Sequence, residues 1–490
     1  MAHLTSSSHP AAGLEADALV VIVAKDCGRA VLADGHGLPP QATTHLTTVI
    51  AELELTGDPG EVTTVAAVPE VRAPRVVLAG AGDLTGPDPA TREHIRQAVG
   101  AAVRGLESRR QVAVVVPTGA TDLGAAVAEG AALGSYTPAK VGADKSPRTQ
   151  NVTVLGPTDG PTRKAVKRAG VIGSAVAYAR DLVNQPPNLL YPESFVASLA
   201  ERAKGTKVKL KSLDLGQLRT GGFGGIVGVG QGSVNEPRLA TLAYSPSRPR
   251  ASLAFVGKGI TFDSGGLCIK PADGMLTMKS DMAGAAAVAA AVFGIAELGL
   301  PVAVTGYLGI AENMPSGTAQ RPGDVVTMRG GKTVEILNTD AEGRMVLGDC
   351  LALAAEREPR AIVDVATLTG AQVIALADTA AVMGRGDEFR TRVVDIAGAV
   401  GEAVWPMPLP SELRPALETP NADLAHKGGR EGGMLTAGIF LGEFVPEGTD
   451  WAHLDIAGPS FNSKAAHGYT PKGGTGFGVR TLVGLAESYC

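Results

Sequence analysis

The chain has 490 residues, enough for roughly two or three domains, so core size sets no limit on its class. Hydrophobic residues make up 44% and charged residues 19%, with a formal net charge of −5, an ordinary globular balance without the basic field that nucleic-acid binding would call for. The four cysteines, Cys27, Cys268, Cys350 and Cys490, stand far apart with no CxxC, which argues against a disulfide framework and for reduced thiols in a cytoplasmic protein. Strands are predicted in the first third at Ala18–Ala24, Val62–Val68, Arg75–Ala79, Gln111–Val116 and Asn151–Leu155, with helices over Thr91–Ser108 and Thr121–Leu133. No Lys or Arg precedes Ala18–Ala24, and the run is too short for a signal core, so it reads as a strand. This alternation predicts an α/β domain over residues 1–160.

A long helical pattern, Pro161 to Asn184, opens on a proline suited to a first helical position and stops before Gln185-Pro186-Pro187. It reads as a helix over 161–184 linking two domains. The second domain, 185–490, alternates again. Strands are expected at Ser252–Val256, Val302–Ile310, Thr333–Leu337, Ala361–Ala366 and Trp451–Ile456, and helices at Asp281–Leu298 and Met345–Glu356. The expected fold class is therefore α/β, two domains each with a mostly parallel or mixed sheet flanked by helices. The uncharged stretch Met282 to Ala296 falls short of the roughly 20 residues that span a bilayer, so no membrane anchor is expected.

The informative charge lies in and beside two apolar, glycine-punctuated stretches of the second domain. Lys258, Asp263, Lys270 and Asp281 belong to the first, and Asp340, Glu342 and Arg344 to the second, Asn338-Thr-Asp-Ala-Glu-Gly-Arg344. Charge amid small apolar neighbours is costly to desolvate unless each group meets a partner or a metal. Both stretches are expected at strand ends before helices, the carboxyl edge where open α/β sheets bind ligands. Asp340 and Glu342, two apart, would emerge on one side of an extended loop. Four carboxylates suit two divalent cations; fewer would leave like charges crowded. Singly, each residue has a bland reading: Asp281 as a helix-start acid, Asp340 and Glu342 as loop or cap residues, Lys258 and Lys270 as solvated lysines. It is their coincidence in two such stretches that points to a site. The glycine-rich run Gly221–Ser233 lacks a phosphate-loop lysine and reads as a turn or close packing, and His453 as a core residue. Ser264 lies in no GxSxG elbow, which argues against a serine hydrolase.

Gly257-Lys-Gly-Ile-Thr-Phe-Asp-Ser-Gly-Gly266, Ile269-Lys-Pro271, Met278-Lys-Ser-Asp-Met-Ala-Gly284 and Asn338–Arg344 resemble the leucyl aminopeptidase (cytosol aminopeptidase) family. Glu312-Asn-Met-Pro315, Ala366-Thr-Leu-Thr-Gly370 and Trp451-Ala-His-Leu-Asp-Ile-Ala-Gly458 extend the likeness, which runs from about Asp181 to the C-terminus. Cys268 stands where relatives often carry a small polar residue. The resemblance implies two manganese or zinc ions per subunit. Lys258, Asp263, Asp281 and Glu342 would hold one ion, and Asp263, Glu342 and Asp340 the other. Lys270 would face the substrate carbonyl, and Arg344 would hold a bicarbonate that relays protons. Met278, Asn338, Thr367 and Gly370 are weaker substrate-binding candidates.

The implied reaction is removal of an N-terminal residue, preferably leucine or another bulky apolar one, by a metal-bridging hydroxide. Substrates would be peptides with a free N-terminus, the assembly a homohexamer, and the role intracellular peptide turnover. Two alternatives compete. One is a DNA-binding accessory role of the N-terminal domain, for which only the small cluster Arg104, Arg109 and Arg110 speaks; the other is a related dipeptidase or Cys-Gly peptidase.

Overall fold

The computed structural model describes residues 1–85, 88–118, 123–139, 141–142 and 149–490. It divides into two compact units, Met1–Ala177 with Asn462–Lys472, and Tyr178–Phe461 with Gly473–Cys490. The divide falls inside the long helix Gly160–Asn184, which carries the chain from one unit to the other.

The first unit holds strands β1 (His3–Ser7), β2 (Ala18–Asp26), β3 (Arg29–Leu32), β4 (Val62–Ala66), β5 (Arg75–Gly80), β6 (Gln111–Val115) and β7 (Asn151–Leu155). Their order is β1-β7-β6-β2-β5-β4, with β3 also paired to β2. The β1-β7-β6-β2-β5 pairings are parallel, while β3 and β4 join antiparallel. The apolar run of β2 is buried throughout because helices cover both its faces. Ala18, Val20 and Ile22 pack with Ile95 and Val99 of the helix Asp88–Arg104, and Leu19, Val21 and Val23 with Leu46 and Ile50 of the helix Pro40–Glu52. Sequence patterning missed that second helix, whose four threonines, with Gln41, His45 and Glu52, dilute its apolar stripe, and the polar edge strand β1. Of the helix expected over Thr121–Leu133, residues 121 and 122 lie outside the described residues, and the rest is the helix Leu123–Gly134.

The second unit continues with β8 (Lys209–Leu213), β9 (Arg238–Tyr244), β10 (Ser252–Asp263), β11 (Ala303–Asn313), β12 (Val325–Thr327), β13 (Thr333–Glu335), β14 (Ala361–Ala366), β15 (Ala380–Arg385), β16 (Val404–Pro406), β17 (Leu424–Ala425) and β18 (Asp450–Asp455). The large sheet runs β16-β15-β18-β14-β10-β11-β9-β8, and β12-β13-β17 form a small one. Its centre, β18-β14-β10-β11, is parallel. Strand β10 extends well past the expected Val256, through the glycine-punctuated stretch to Asp263. The glycines do not end the strand; they admit a neighbour. A Cβ at Gly257 would stand 2.6 Å from Ala285 Cα, and one at Gly284 would stand 2.0 Å from the Val365 carbonyl oxygen. The alanine-rich helix Ala283–Leu298 thereby packs directly on β10 and β14, buried from Ala283 to Ala296 as a core helix.

Two further expectations change. Asp281 does not begin that helix but closes the 3-10 turn Met278–Ser280 just before it. The glycine-rich run contains a short helix, Gly224–Gly230, and Asp349 accepts the Ile226 N–H at 2.8 Å.

Candidate active site and metal centre

The exit of β10, the turn before Ala283, and the turn between β13 and the helix Gly343–Ala355 converge. Lys258 rises from within β10 and is 2% exposed. Its Nζ lies 2.8 Å from Asp281 Oδ1 and 2.8 Å from Glu342 Oε1, and donates to the Thr367 carbonyl at 2.8 Å. Lys270 Nζ lies 2.8 Å from Asp263 Oδ2 and 2.5 Å from Asp340 Oδ1. One oxygen from each of Asp263, Asp340 and Glu342 falls within 4.8 Å of the other two. The segment 338–342 is a turn rather than an extended loop, yet its two acids still meet in one cluster. Gly343 is required by Lys258: a Cβ there would sit 2.5 Å from Lys258 Cε and 2.7 Å from its Nζ.

Neutral donors fix the acids in place. Asp263 Oδ1 accepts from Gly265 N–H at 2.9 Å and from Asn313 Nδ2 at 2.8 Å, while the same Asn313 amide donates to the Thr339 carbonyl at 3.0 Å. Thr339 Oγ1 donates to the Gly265 carbonyl at 2.6 Å and accepts the Cys268 N–H at 2.8 Å. Thr367 donates its hydroxyl to Asp281 Oδ1 at 2.7 Å. Asp455 takes the Leu368 N–H at 3.0 Å and the Thr369 hydroxyl at 2.7 Å, holding the segment that carries Thr367. His426 accepts the Leu337 N–H on Nδ1 at 3.1 Å and donates from Nε2 to the Asn338 carbonyl at 2.8 Å.

The electrostatics are uneven. Burial opposes charge on Lys258 and Lys270, but the surrounding acids, Asp281 foremost for Lys258 and Asp263 for Lys270, hold both above the ordinary lysine value. Burial and then Glu342 push Asp263 up to about 6, and burial lifts Asp281 well above the carboxylate range despite Lys258. Burial also raises Asp340 against the pull of Lys270. Glu342 alone is lowered: Lys258 and Lys270 outweigh its burial. Burial brings Arg344 down to about 10; its Nη1 donates to the His426 carbonyl at 3.0 Å, and its buried Nε has no hydrogen-bond partner.

The weaker candidates separate. Thr367 touches the cluster directly, and Asn338 shapes it through Oδ1, which accepts the Asp340 N–H at 2.9 Å. Met278 is half-buried and its carbonyl accepts the Asp281 N–H at 3.3 Å. Gly370 is exposed at the start of the helix Gly370–Leu376, and a methyl there would meet open space. Asn313, Thr339, Asp455 and His426 were not singled out from sequence. The first three lie inside the motif strings and could have been; His426 has no local signal. His453 is buried, its Nδ1 2.5 Å from Asp364 Oδ1. The four cysteines are free. In the first unit, Arg104 donates to the Gly468 carbonyl at 3.1 Å, so one member of the basic cluster is occupied by its own fold.

The residues fit a divalent cation centre. Asp281 Oδ2 is a buried carboxylate oxygen without a hydrogen-bond partner, and with Asp263, Asp340 and Glu342 it makes four acids to two lysines. Hard carboxylate oxygens with one amine suit manganese, magnesium or zinc.

Residues 177–483 match the model of the cytosol aminopeptidase family's catalytic domain, and residues 27–141 that of its N-terminal domain, the third of the chain in which no motif was matched from sequence. A probable cytosol aminopeptidase of Streptomyces griseus is 51% identical over 99% of this chain and 98% of its own. One of Micrococcus luteus is 48% identical over 97% and 96%. Among solved structures, the bottromycin maturation enzyme BotP in complex with Mn superposes with a TM-score of 0.85 at 35% identity, covering 97% of this chain and 99% of its own. A variant of tomato leucine aminopeptidase gives 0.86 at 29% identity, covering 99% and 96%.

Proposed function

The chain belongs to the cytosol aminopeptidase family and is a metal-dependent aminopeptidase; from that premise we propose a two-ion exopeptidase that favours N-terminal leucine and other bulky apolar residues. It is a hydrolase of peptides. The observation that carries the two-ion reading is the convergence of Asp263, Asp281, Asp340 and Glu342 around two lysines in a site short of positive charge. Lys258, Asp263, Asp281 and Glu342 would hold one ion, and Asp263, Glu342 and Asp340 the other, with manganese or zinc as the metal. Bound there, a divalent pair supplies Lewis-acid activation of water at neutral pH and an anchor for a free α-amine.

The chain's own groups do the rest. Lys258 can ligate only as a neutral amine, so its proton must leave as positive charge enters the acids that now retain it. Lys270 keeps its charge and, freed from Asp263 and Asp340, donates to the substrate carbonyl as negative charge develops on its oxygen. Arg344, cationic and with an unbonded buried Nε, would hold bicarbonate. Thr367 keeps Lys258 and Asp281 in register through its carbonyl and hydroxyl. The same reading makes the protein a cytoplasmic homohexamer in peptide turnover; free thiols and the relatives' names support the compartment, and the family resemblance the assembly.

Activity on leucyl amides and peptides with a free N-terminus is expected to vanish in chelator and return with manganese or zinc, while N-acetylated counterparts stay inert. Full turnover in chelator, or equal turnover of blocked substrates, would sink the proposal.

A further inference from the structure

We propose that His426 is a positioning residue for the acid-bearing turn Asn338–Glu342, setting the metal-binding geometry through the turn's backbone; this rests on the two-ion reading above. His426 is 1% exposed and lies 84 residues from the nearest member of the turn, which makes its attachments selective rather than local. Its main-chain N–H donates to the Glu335 carbonyl at 3.0 Å, extending the short β13–β17 pairing by one bond. Beyond that point the backbone of 337 and 338 has left the sheet, and the imidazole takes over as its partner. Nδ1 accepts the Leu337 N–H at 3.1 Å, and Nε2 donates to the Asn338 carbonyl at 2.8 Å. The His426 carbonyl then accepts Arg344 Nη1 at 3.0 Å, on the far side of the acids. One residue thus grips the segment 335–344 at both ends and in the middle.

Both ring bonds require the neutral imidazole with its proton on Nε2, because Nδ1 must offer a lone pair. Burial and the adjacent Arg344 charge favour that form, pulling the group down to about 4. The Asn338 carbonyl is the pivot. It also accepts the Ala341 N–H at 3.0 Å, which closes the turn between the two acids. Moving that carbonyl shifts the turn that carries Asp340 and Glu342, whereas Asp263 and Asp281 sit on other elements, the end of β10 and the turn before Ala283. Ligand oxygens must be placed to within a few tenths of an ångström, so an outer partner of this kind sets affinity without touching the ion.

The test is calorimetric titration of the metal-free full-length protein with manganese chloride, for wild type, His426→Phe and His426→Gln. Phenylalanine keeps a ring but removes both bonds, whereas the glutamine amide can restore the donor at the Nε2 position. His426→Phe is expected to weaken manganese binding by about 10- to 100-fold and to lower turnover at saturating manganese, with KM for a free leucyl amide within about twofold of wild type. His426→Gln should recover most of both losses. Wild-type affinity in His426→Phe would overturn the role, as would a loss that His426→Gln does not repair. If His426→Phe does not fold, His426→Asn, which can keep the acceptor but not reach the Asn338 carbonyl, decides instead; unchanged manganese affinity there overturns the role. Failure of the wild type itself to bind manganese or zinc would reject the two-ion reading, a distinct outcome.

Discussion

Each unit buries a cluster of acids and bases, and the two clusters differ in how well their charges are matched. In the first unit Glu129 accepts from Arg96 at 2.6 Å and also from Arg168, while Glu93 accepts from Arg96 at 3.3 Å and from the Tyr469 hydroxyl at 2.7 Å. Guanidinium forks meet carboxylates and leave the acids well served, the arrangement that lets buried charge be tolerated in a fold. In the second unit four acids share two lysine ammonium groups, one buried oxygen of Asp281 has no partner, and three of the four acids are held above their ordinary range. The first cluster is matched in charge as protein; the second is left short of positive charge. Both the kind of base and the ratio of acid to base separate them: two arginines serve two glutamates in the first, and two lysines serve four acids in the second.

The sharpest way to break this contrast is to remove one acid from each cluster. Asp263→Ala should cut turnover by at least about 10³-fold and lose metal, while the metal-free protein melts near wild type because a like charge has been relieved. Glu129→Gln should instead destabilise the fold by about 3 kcal/mol, removing the carboxylate that the buried Arg96 and the half-buried Arg168 share, with the manganese affinity of the folded protein unchanged. If Asp263→Ala were the variant that unfolded, or Glu129→Gln the one that lost metal, the contrast would be wrong. Metal analysis beside thermal melts decides it.

Lys270→Ala divides charge that binds ions from charge that acts on substrate. Turnover should fall by roughly 10²–10³-fold with metal content near wild type; loss of metal in this variant would make Lys270 part of the binding frame instead.

The second-unit acids became legible because charge recurs among glycines and β-branched residues, where solvation cannot explain it. Lys258, Asp263, Asp340 and Glu342 needed only their strings to be picked out. Their geometry was less readable. Gly257 looked like the end of a strand, and only the approach of Ala285 to within 2.6 Å of a Cβ position shows why a glycine sits inside β10. Asp281 looked like a helix-start acid because it stands just ahead of the alanine-rich run, and the 3-10 turn that it closes leaves no periodic signal of its own. His426 lay beyond reach, since its partners are backbone groups of Leu337 and Asn338, which impose no side-chain pattern to match. In the first unit the parallel strands were visible as continuous apolar runs, whereas β1, polar and at a sheet edge, gave no such signal.

A third, isolated acid tests whether burial alone, without neighbouring acids, shifts titration. Asp349 is fully buried and accepts the Ile226 and Arg329 N–H groups at 2.8 Å each, yet burial raises it to about 7. A folded-state value above the ordinary 3.8 means that folding takes up a proton, so its contribution to stability is full at acid pH and is lost as pH rises through about 7. The melting temperature of wild type relative to Asp349→Asn should therefore fall by a few degrees between about pH 5 and pH 8. Parallel curves would show that the backbone donors cancel the burial. The smallest effect is expected of Cys268→Ser, whose main-chain N–H, not its thiol, meets Thr339; turnover should stay within about twofold, and a large loss would give the thiol a role in the site.

The most direct measurement is anomalous diffraction at the manganese edge from crystals of the protein grown with manganese. Two peaks are expected in one pocket, one bounded by Lys258 and Asp281, the other by Asp340, with Asp263 and Glu342 between them. A single peak, or ions bound away from these carboxylates, would contradict the account.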